Sequence, residues 1–410
     1  MRRADLLIHS ATQIATCAAT QARRGAAMRD PAVIADGALA IADGQIVAVG
    51  PSAALRAEIR ATREIDASGR TLCPGFVDPH THIVFAGDRV HEFELKLGGA
   101  AYLDILAAGG GIVSTMHATR AATHAVLVEQ SRQRLAQMLA QGTTTVESKT
   151  GYGLRVEDEL KQLEVMSTLA AQQPVELVPA LLSAHAVPPE YAGRADDYVR
   201  HVIDVIIPAA AAWHRASPLR GQPMRIDVFC ELAAFSPQQA REVLAAGCAA
   251  GMDVTAHVDQ FNVLGGLDVA LALGARSIDH LDVTGASDIN RIAASNSVAV
   301  VIPTATFNFG GDAARFANAR TMIDSGCALA LCTDLNPGSA PCPSMPLAMA
   351  IACRYQKLLP AEALVAGTIN AAHALGLGQR VGSLEAGKQA DVLIIDAPDY
   401  RHLAYQFGAN

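Results

Sequence analysis

From Pro74 onward, short apolar runs alternate with longer alanine-rich stretches whose apolar positions recur every three or four residues. A brief apolar run bounded by turn residues reads as a strand covered on both faces, and the 3–4 spacing reads as a helix lying against it. Eight such strands are predicted: Phe76–His82, Thr143–Lys149, Glu176–His185, Arg225–Glu231, Asp253–Asp259, Ala275–Leu281, Ala299–Ala305 and Ala328–Asp334. Helices are expected near residues 123–141, 157–172, 190–215, 236–250, 263–273, 286–296, 312–325, 345–358 and 361–375. Strand–helix alternation requires a parallel sheet with crossover helices, and eight repeats make an α/β fold of the TIM (β/α)8 barrel type the economical solution. The link from the first strand to the second is long and carries Gly109-Gly110-Gly111, and long loops in compact domains tend to be functional.

The first 70 residues have a different texture. Leu6-Leu7-Ile8 reads as a strand, residues 17–32 as a polar loop, and Ala38–Ala42 with Gln45–Val49 flank Asp43-Gly44, a tight hairpin turn. A further strand, Ala390–Ile395, stands near the other end of the chain. Neither terminal piece can bury a sheet face by itself. Residues 1–70 and 376–410 are therefore expected to build one small β domain, and 71–375 the catalytic barrel.

Composition narrows the function classes. Of 410 residues, 51% are hydrophobic and 18% charged, and the net charge of −8 is spread without long runs. That argues against nucleic acid or an anionic membrane as partner. No apolar run approaches the ~18 residues of a membrane span. The eight cysteines form no CxxC pair and are expected to be buried free thiols of a reducing cytoplasm.

The chemistry lies in where polar residues fall. His80 and His82 end the first predicted strand and, at i and i+2, share a face. Lys149, His185, Glu231, His257, His280 and Asp334 stand at or near the ends of later strands. The C-terminal strand ends of a TIM barrel form its active-site face, so these side chains are expected to converge on one pocket. His80, His82, His257 and Asp334 offer three nitrogens and one oxygen to a metal, with a position left for water, as in a catalytic rather than a structural site. A metal so held would lower the pKa of that water toward ~7. Asp334 is then expected to carry protons, and His280 to hydrogen-bond the attacking oxygen or the developing oxyanion.

His80-Thr81-His82, with a histidine on each of strands five and six and an aspartate on strand eight, resembles the amidohydrolase superfamily. More narrowly, the strings PGFVDPHTHIVFAGDR, HEFELKLGGAAYLDILAAGGGI, ESKTGYGL, LSAHAVP, AHVDQFNVLGG, DHL and TDLNPGS are similar to the imidazolonepropionase family. The resemblance covers most of the chain. It implies hydrolysis of the cyclic amide of 4-imidazolone-5-propanoate to N-formimidoyl-L-glutamate in histidine degradation, one zinc or iron ion on His80, His82, His257 and Asp334, and a homodimer. It further implies that Arg89, Tyr152, His185, Gln260 and Ser339 contact the imidazolone acid, and that Tyr152, Asn336 and Gly338 hold the ring-opened product.

Some of this has independent support in the residues. Arg89 follows His82 by seven positions, where a guanidinium suits a carboxylate. Gly338 lies in the turn after Asp334, where backbone can approach a ligand closely. Lys149 and Glu231 are expected to be supporting or structural.

Three rivals are weighed against this. Deaminases of the superfamily place a glutamate three residues after the strand-five histidine, where this chain has Gln260. Two-metal relatives carry a carboxylated lysine on strand four, which here ends Phe229-Cys230-Glu231. A barrel retained only for binding would be expected to lack metal ligands, and none is missing.

Overall fold

The computed structural model describes residues 2–99, 110–232, 234–310 and 315–408. The N-terminal alternation forms β1 (Arg2–Ala15), β2 (Val33–Ala42), β3 (Gln45–Pro51), β4 (Ile59–Asp66) and β5 (Thr71–Pro74). β1 pairs with β2 antiparallel and with β4 in parallel. The β2–β3 hairpin turns at Asp43 and Gly44, with φ of 50° and 72°, the pair of left-handed residues that such a turn requires.

The barrel follows directly as β6 (Phe76–Asp78), β7 (Thr143–Lys149), β8 (Glu176–Ala184), β9 (Arg225–Cys230), β10 (Asp253–Val258), β11 (Ser277–His280), β12 (Val298–Val301) and β13 (Ala328–Leu331). These eight strands lie side by side in chain order, all parallel. The first and last are joined through a side chain: Thr333 donates its backbone N–H (3.1 Å) and its hydroxyl (2.5 Å) to the Asp78 carboxylate. Just beyond, Asp334 N–H donates to the His80 carbonyl and His82 N–H to the Leu335 carbonyl. The strand carrying His80 and the segment carrying Asp334 are thereby fixed edge to edge. β14 (Val392–Ile395) pairs antiparallel with β5, so the terminal segments share a six-stranded sheet. Ile8, Ile14, Leu39, Ile46 and Leu72 fill its core.

Several boundaries differ from the sequence expectation. The strand expected over Ala299–Ala305 ends at Val301, and a helix runs from Pro303 to Asn308. Proline holds the preceding residue extended and suits the first helical position, so it ends the strand and starts the helix. The helix expected over 361–375 divides into Pro360–Ala366 and Ile369–Ala374, because the Gly367 carbonyl turns aside to accept from Val77 N–H. The helix expected over 190–215 starts later, at Ala195, and runs unbroken to Ala216 through a π-helical turn at Val202–Ile206. The link after β6 contains two unforeseen helices, Val90–Leu97 and Ile112–Ala121; Gly109 lies outside the described residues. The helix expected over 312–325 covers Ala319–Asp324, and positions 312–314 lie outside the described residues.

All eight cysteines are free, but Cys248 is exposed and Cys342 and Cys353 are only partly covered, against the expectation that all are buried. Among the described residues no helix is long and apolar enough to cross a membrane.

Candidate metal centre and active site

One nitrogen from each of His80, His82 and His257 lies within 4.8 Å of the others, all three residues being buried at the C-terminal mouth of the barrel. Asp334 Oδ1 is 3.7 Å from His80 Nε2 and 3.5 Å from His82 Nε2. The Asp334 backbone is left-handed, with φ of 52°. His280 and Leu281 are also left-handed, with φ of 78° and 63°. Non-glycine residues held there cost of order 1–3 kcal/mol each and gather at functional sites.

The histidines are oriented from below. His80 Nδ1–H donates to Asp279 Oδ2 at 2.6 Å, and His257 Nδ1 faces Asp227 Oδ2 at 2.9 Å. Those contacts place the proton on Nδ1 and leave Nε2 with a bare lone pair. His80 Nε2 is buried without a hydrogen-bond partner. Burial, with Lys149 and the neighbouring rings, holds the His80 pKa well below the ordinary imidazole value. His82 is likewise depressed by burial. Burial pushes Asp334 up to about 6. Neutral imidazoles with unused lone pairs beside a carboxylate deprived of water are a donor set that fits a divalent cation.

Above this centre opens a cleft of about 1700 Å³ lined by His82, Arg89, Tyr152, His185, His257, Gln260, His280, Asp334, Asn336, Gly338 and Ser339. The expected metal, catalytic and substrate residues other than His80, which is fully buried beside His82 and His257, all border this cleft, whereas Lys149 and Glu231, also expected to converge there, do not line it. His185 Nδ1 is 3.1 Å from the Gly151 carbonyl, to which it donates, and its ring stacks on His82 at 5.1 Å. Burial lowers its pKa to about 3, so it is neutral. Tyr152 is buried beside His82, His185 and Phe85. Burial opposes charge on His280, yet its pairing with Asp282 (Nδ1 to Oδ2, 3.7 Å) and the nearby Asp334 and Asp279 raise its pKa above the ordinary value.

A protein from Chloroflexus aggregans named imidazolonepropionase is 56% identical over 411 aligned residues, spanning 100% of this chain and 96% of that protein. This chain belongs to the imidazolonepropionase family. Imidazolonepropionases from Herpetosiphon aurantiacus and Symbiobacterium thermophilum are 48% and 46% identical, over 94% and 100% of this chain and 90% and 95% of theirs. The amidohydrolase family model matches residues 232–409, and that of the bacterial imidazolonepropionase-like composite domain matches 37–58. Among solved structures, a zinc-bound adenosine deaminase from Xanthomonas campestris superposes with a TM-score of 0.71 at 20% identity, covering 98% of this chain and 89% of that one. At that identity the likeness speaks for the fold alone.

In this imidazolonepropionase-family chain, the turn after Asp334 is built by Asn336. Its Oδ1 accepts from Gly338 and Ser339 N–H at 2.8 Å each, and its Nδ2 donates to the Asp334 carbonyl and to Ser339 Oγ at 2.7 Å each. Ser339 Oγ in turn reaches Asp334 Oδ2 at 3.3 Å. Arg89 donates from Nε to Thr115 Oγ1 at 2.9 Å and lays its guanidinium across Gly338. A Cβ on Gly338 would fall 2.1 Å from Arg89 Nη1. Gly338→Ala is thus expected to displace the guanidinium, raising KM for a carboxylate substrate by about tenfold. Because the obstacle is the free end of a long side chain, Tm should move by no more than ~2 °C. Steady-state kinetics with a melting curve checks both parts.

Asp227, Asp279 and Asp282 went unrecognised in the sequence. The available signal was a carboxylate inside an apolar run, Arg-Ile-Asp-Val-Phe in β9 and Ser-Ile-Asp-His in β11. Buried carboxylates need partners, so each pointed to a nearby cation or imidazole. Glu231 also acquires a defined place: it accepts from the backbone N–H groups of Phe261 and Asn262 at 3.0 and 3.1 Å, bracing the loop that carries Gln260.

Proposed function

We propose that this protein hydrolyses the cyclic amide of 4-imidazolone-5-propanoate to N-formimidoyl-L-glutamate, a step of histidine degradation, using one zinc or iron ion. Whole-chain likeness to imidazolonepropionases carries this reading. The ion would be held by His80, His82, His257 and Asp334. When bound, it supplies Lewis acidity, polarising the ring carbonyl and lowering the pKa of water.

The rest is done by side chains. Water adds to the ring carbonyl carbon, and Asp334 takes its proton. His280, with Nδ1 toward Asp282, keeps its other nitrogen for the cleft and hydrogen-bonds the oxygen that gains negative charge. As the carbon–nitrogen bond breaks, Asp334 returns the proton to the departing ring nitrogen. Carbon thus gains OH and nitrogen gains H, and the products balance.

His185, a donor to Gly151 through Nδ1, offers a lone pair to a ring N–H, and Gln260 can both donate to and accept from the ring edge. Tyr152, Asn336, Gly338 and Ser339 close around the substrate and its opened product, and Arg89 binds the propanoate. Gln260, unlike a glutamate, has no proton to give a ring nitrogen, which disfavours deamination. A homodimer in the cytoplasm belongs to the same reading; sedimentation velocity tests the dimer.

Incubating metal-loaded protein with 4-imidazolone-5-propanoate should yield N-formimidoyl-L-glutamate, and an intact ring after prolonged incubation would refute the assignment. Stripping the metal with a chelator is expected to abolish turnover, and restoring zinc or iron to recover it. The reloaded protein should also melt higher, since a ligand bound only by the folded state stabilises it.

A further inference from the structure

A buried cation lies beneath the histidine cluster. Lys149, the last residue of β7, is fully buried, with Nζ 2.7 Å from Glu147 Oε2, 2.7 Å from Asp227 Oδ2 and 3.7 Å from Asp279 Oδ2. Asp227 and Asp279 use those same oxygens to face His257 and His80. Glu147 faces neither histidine and is shared with Arg225, 2.9 Å away. Lys149 is absent from the lining of the cleft.

We propose that Lys149 is a positioning residue for the metal centre: by engaging Asp227 and Asp279 at once, it fixes the rings of His257 and His80 that face the ion. This rests on the metal-centre reading above. β9 and β11 flank β10, so their two carboxylates approach from either side of His257. Two buried carboxylates this close repel each other, and a cation between them holds each facing its histidine. If one turned away, its imidazole would lose the partner that sets its orientation. An ammonium ion-paired with Glu147 and Asp227, with Asp279 at 3.7 Å, is also no nucleophile and no base, so its contribution passes through the carboxylates.

The test uses the full-length protein loaded with Co2+, whose visible absorption reports ligand geometry. Lys149→Met should release cobalt to a competing chelator about tenfold faster or more, with altered absorption bands. Glu147→Gln loosens the hold on Lys149 without touching either histidine pair. It should shift both readouts in the same direction but less, and it decides the matter if Lys149→Met does not fold. Melting of the metal-free proteins separates positioning from bulk stability. If the folded variants melt lower yet keep wild-type cobalt release and spectrum, Lys149 merely supports the barrel and the proposal is overturned. If the wild-type protein itself takes up no cobalt, the metal-centre reading fails and takes the proposal with it.

Discussion

Asp334→Asn is expected to cut kcat/KM by roughly 10²- to 10⁴-fold, the range typical of a lost general acid–base group. The substitution is nearly isosteric, and asparagine accepts the left-handed backbone at this position as readily as aspartate. The Asn336 hydrogen bond goes to the backbone carbonyl and is untouched, and the one from Ser339 can re-form around an amide oxygen, so the fold and the turn should survive. What disappears is the group able to take a proton from water and return it to nitrogen, together with a negative charge facing His80 and His82. The assay belongs on protein reloaded with metal and checked by elemental analysis, so that poor occupancy is not mistaken for lost chemistry. Near wild-type turnover in the loaded variant would remove Asp334 from the mechanism.

Arg89→Met should lower kcat/KM for 4-imidazolone-5-propanoate by about 10- to 150-fold, with metal content unchanged. The propanoate takes no part in bond making, so it contributes by binding and orientation. Losing a charge-assisted contact to a partly enclosed carboxylate costs roughly 1.5–3 kcal/mol, at ~1.4 kcal/mol per tenfold. The same variant should lose little toward an imidazolone whose carboxylate is replaced by a neutral amide. Assaying both proteins on both compounds separates recognition of charge from shaping of the cleft. Equal losses on acid and amide would mean that Arg89, which is tied to Thr115 and packed on Gly338, merely supports the loop.

The barrel was legible because most of its strands are short, apolar-rich runs between helical stretches, and the site because histidines and an aspartate stand at or just after their ends. Seven of the eight predicted strands overran by one to four residues at those ends, Thr143–Lys149 being matched, and candidate site residues such as His82, His185 and Asp334 lie beyond the observed strand ends. Periodicity could not show that the Gly367 carbonyl is diverted to Val77, which splits an otherwise continuous helical pattern. Nor could it place Lys149 among Glu147, Asp227 and Asp279. That cluster depends on the register of the five successive strands β7 to β11, and each member read alone is only a polar residue in a strand.

The Asp78–Thr333 pair joins positions 255 residues apart, and β14 completes the edge of the sheet from which β6 departs. Contacts of such separation are among the slowest to form, because a long loop must close before they return any free energy. During synthesis, His80 and His82 leave the ribosome long before His257 and Asp334 exist, so the early chain presents only that pair of the four proposed donors. The proposed four-donor site would therefore be complete only once almost the whole barrel has been made. Shortened products that stop before residue 333 would lack both the seam and the fourth donor.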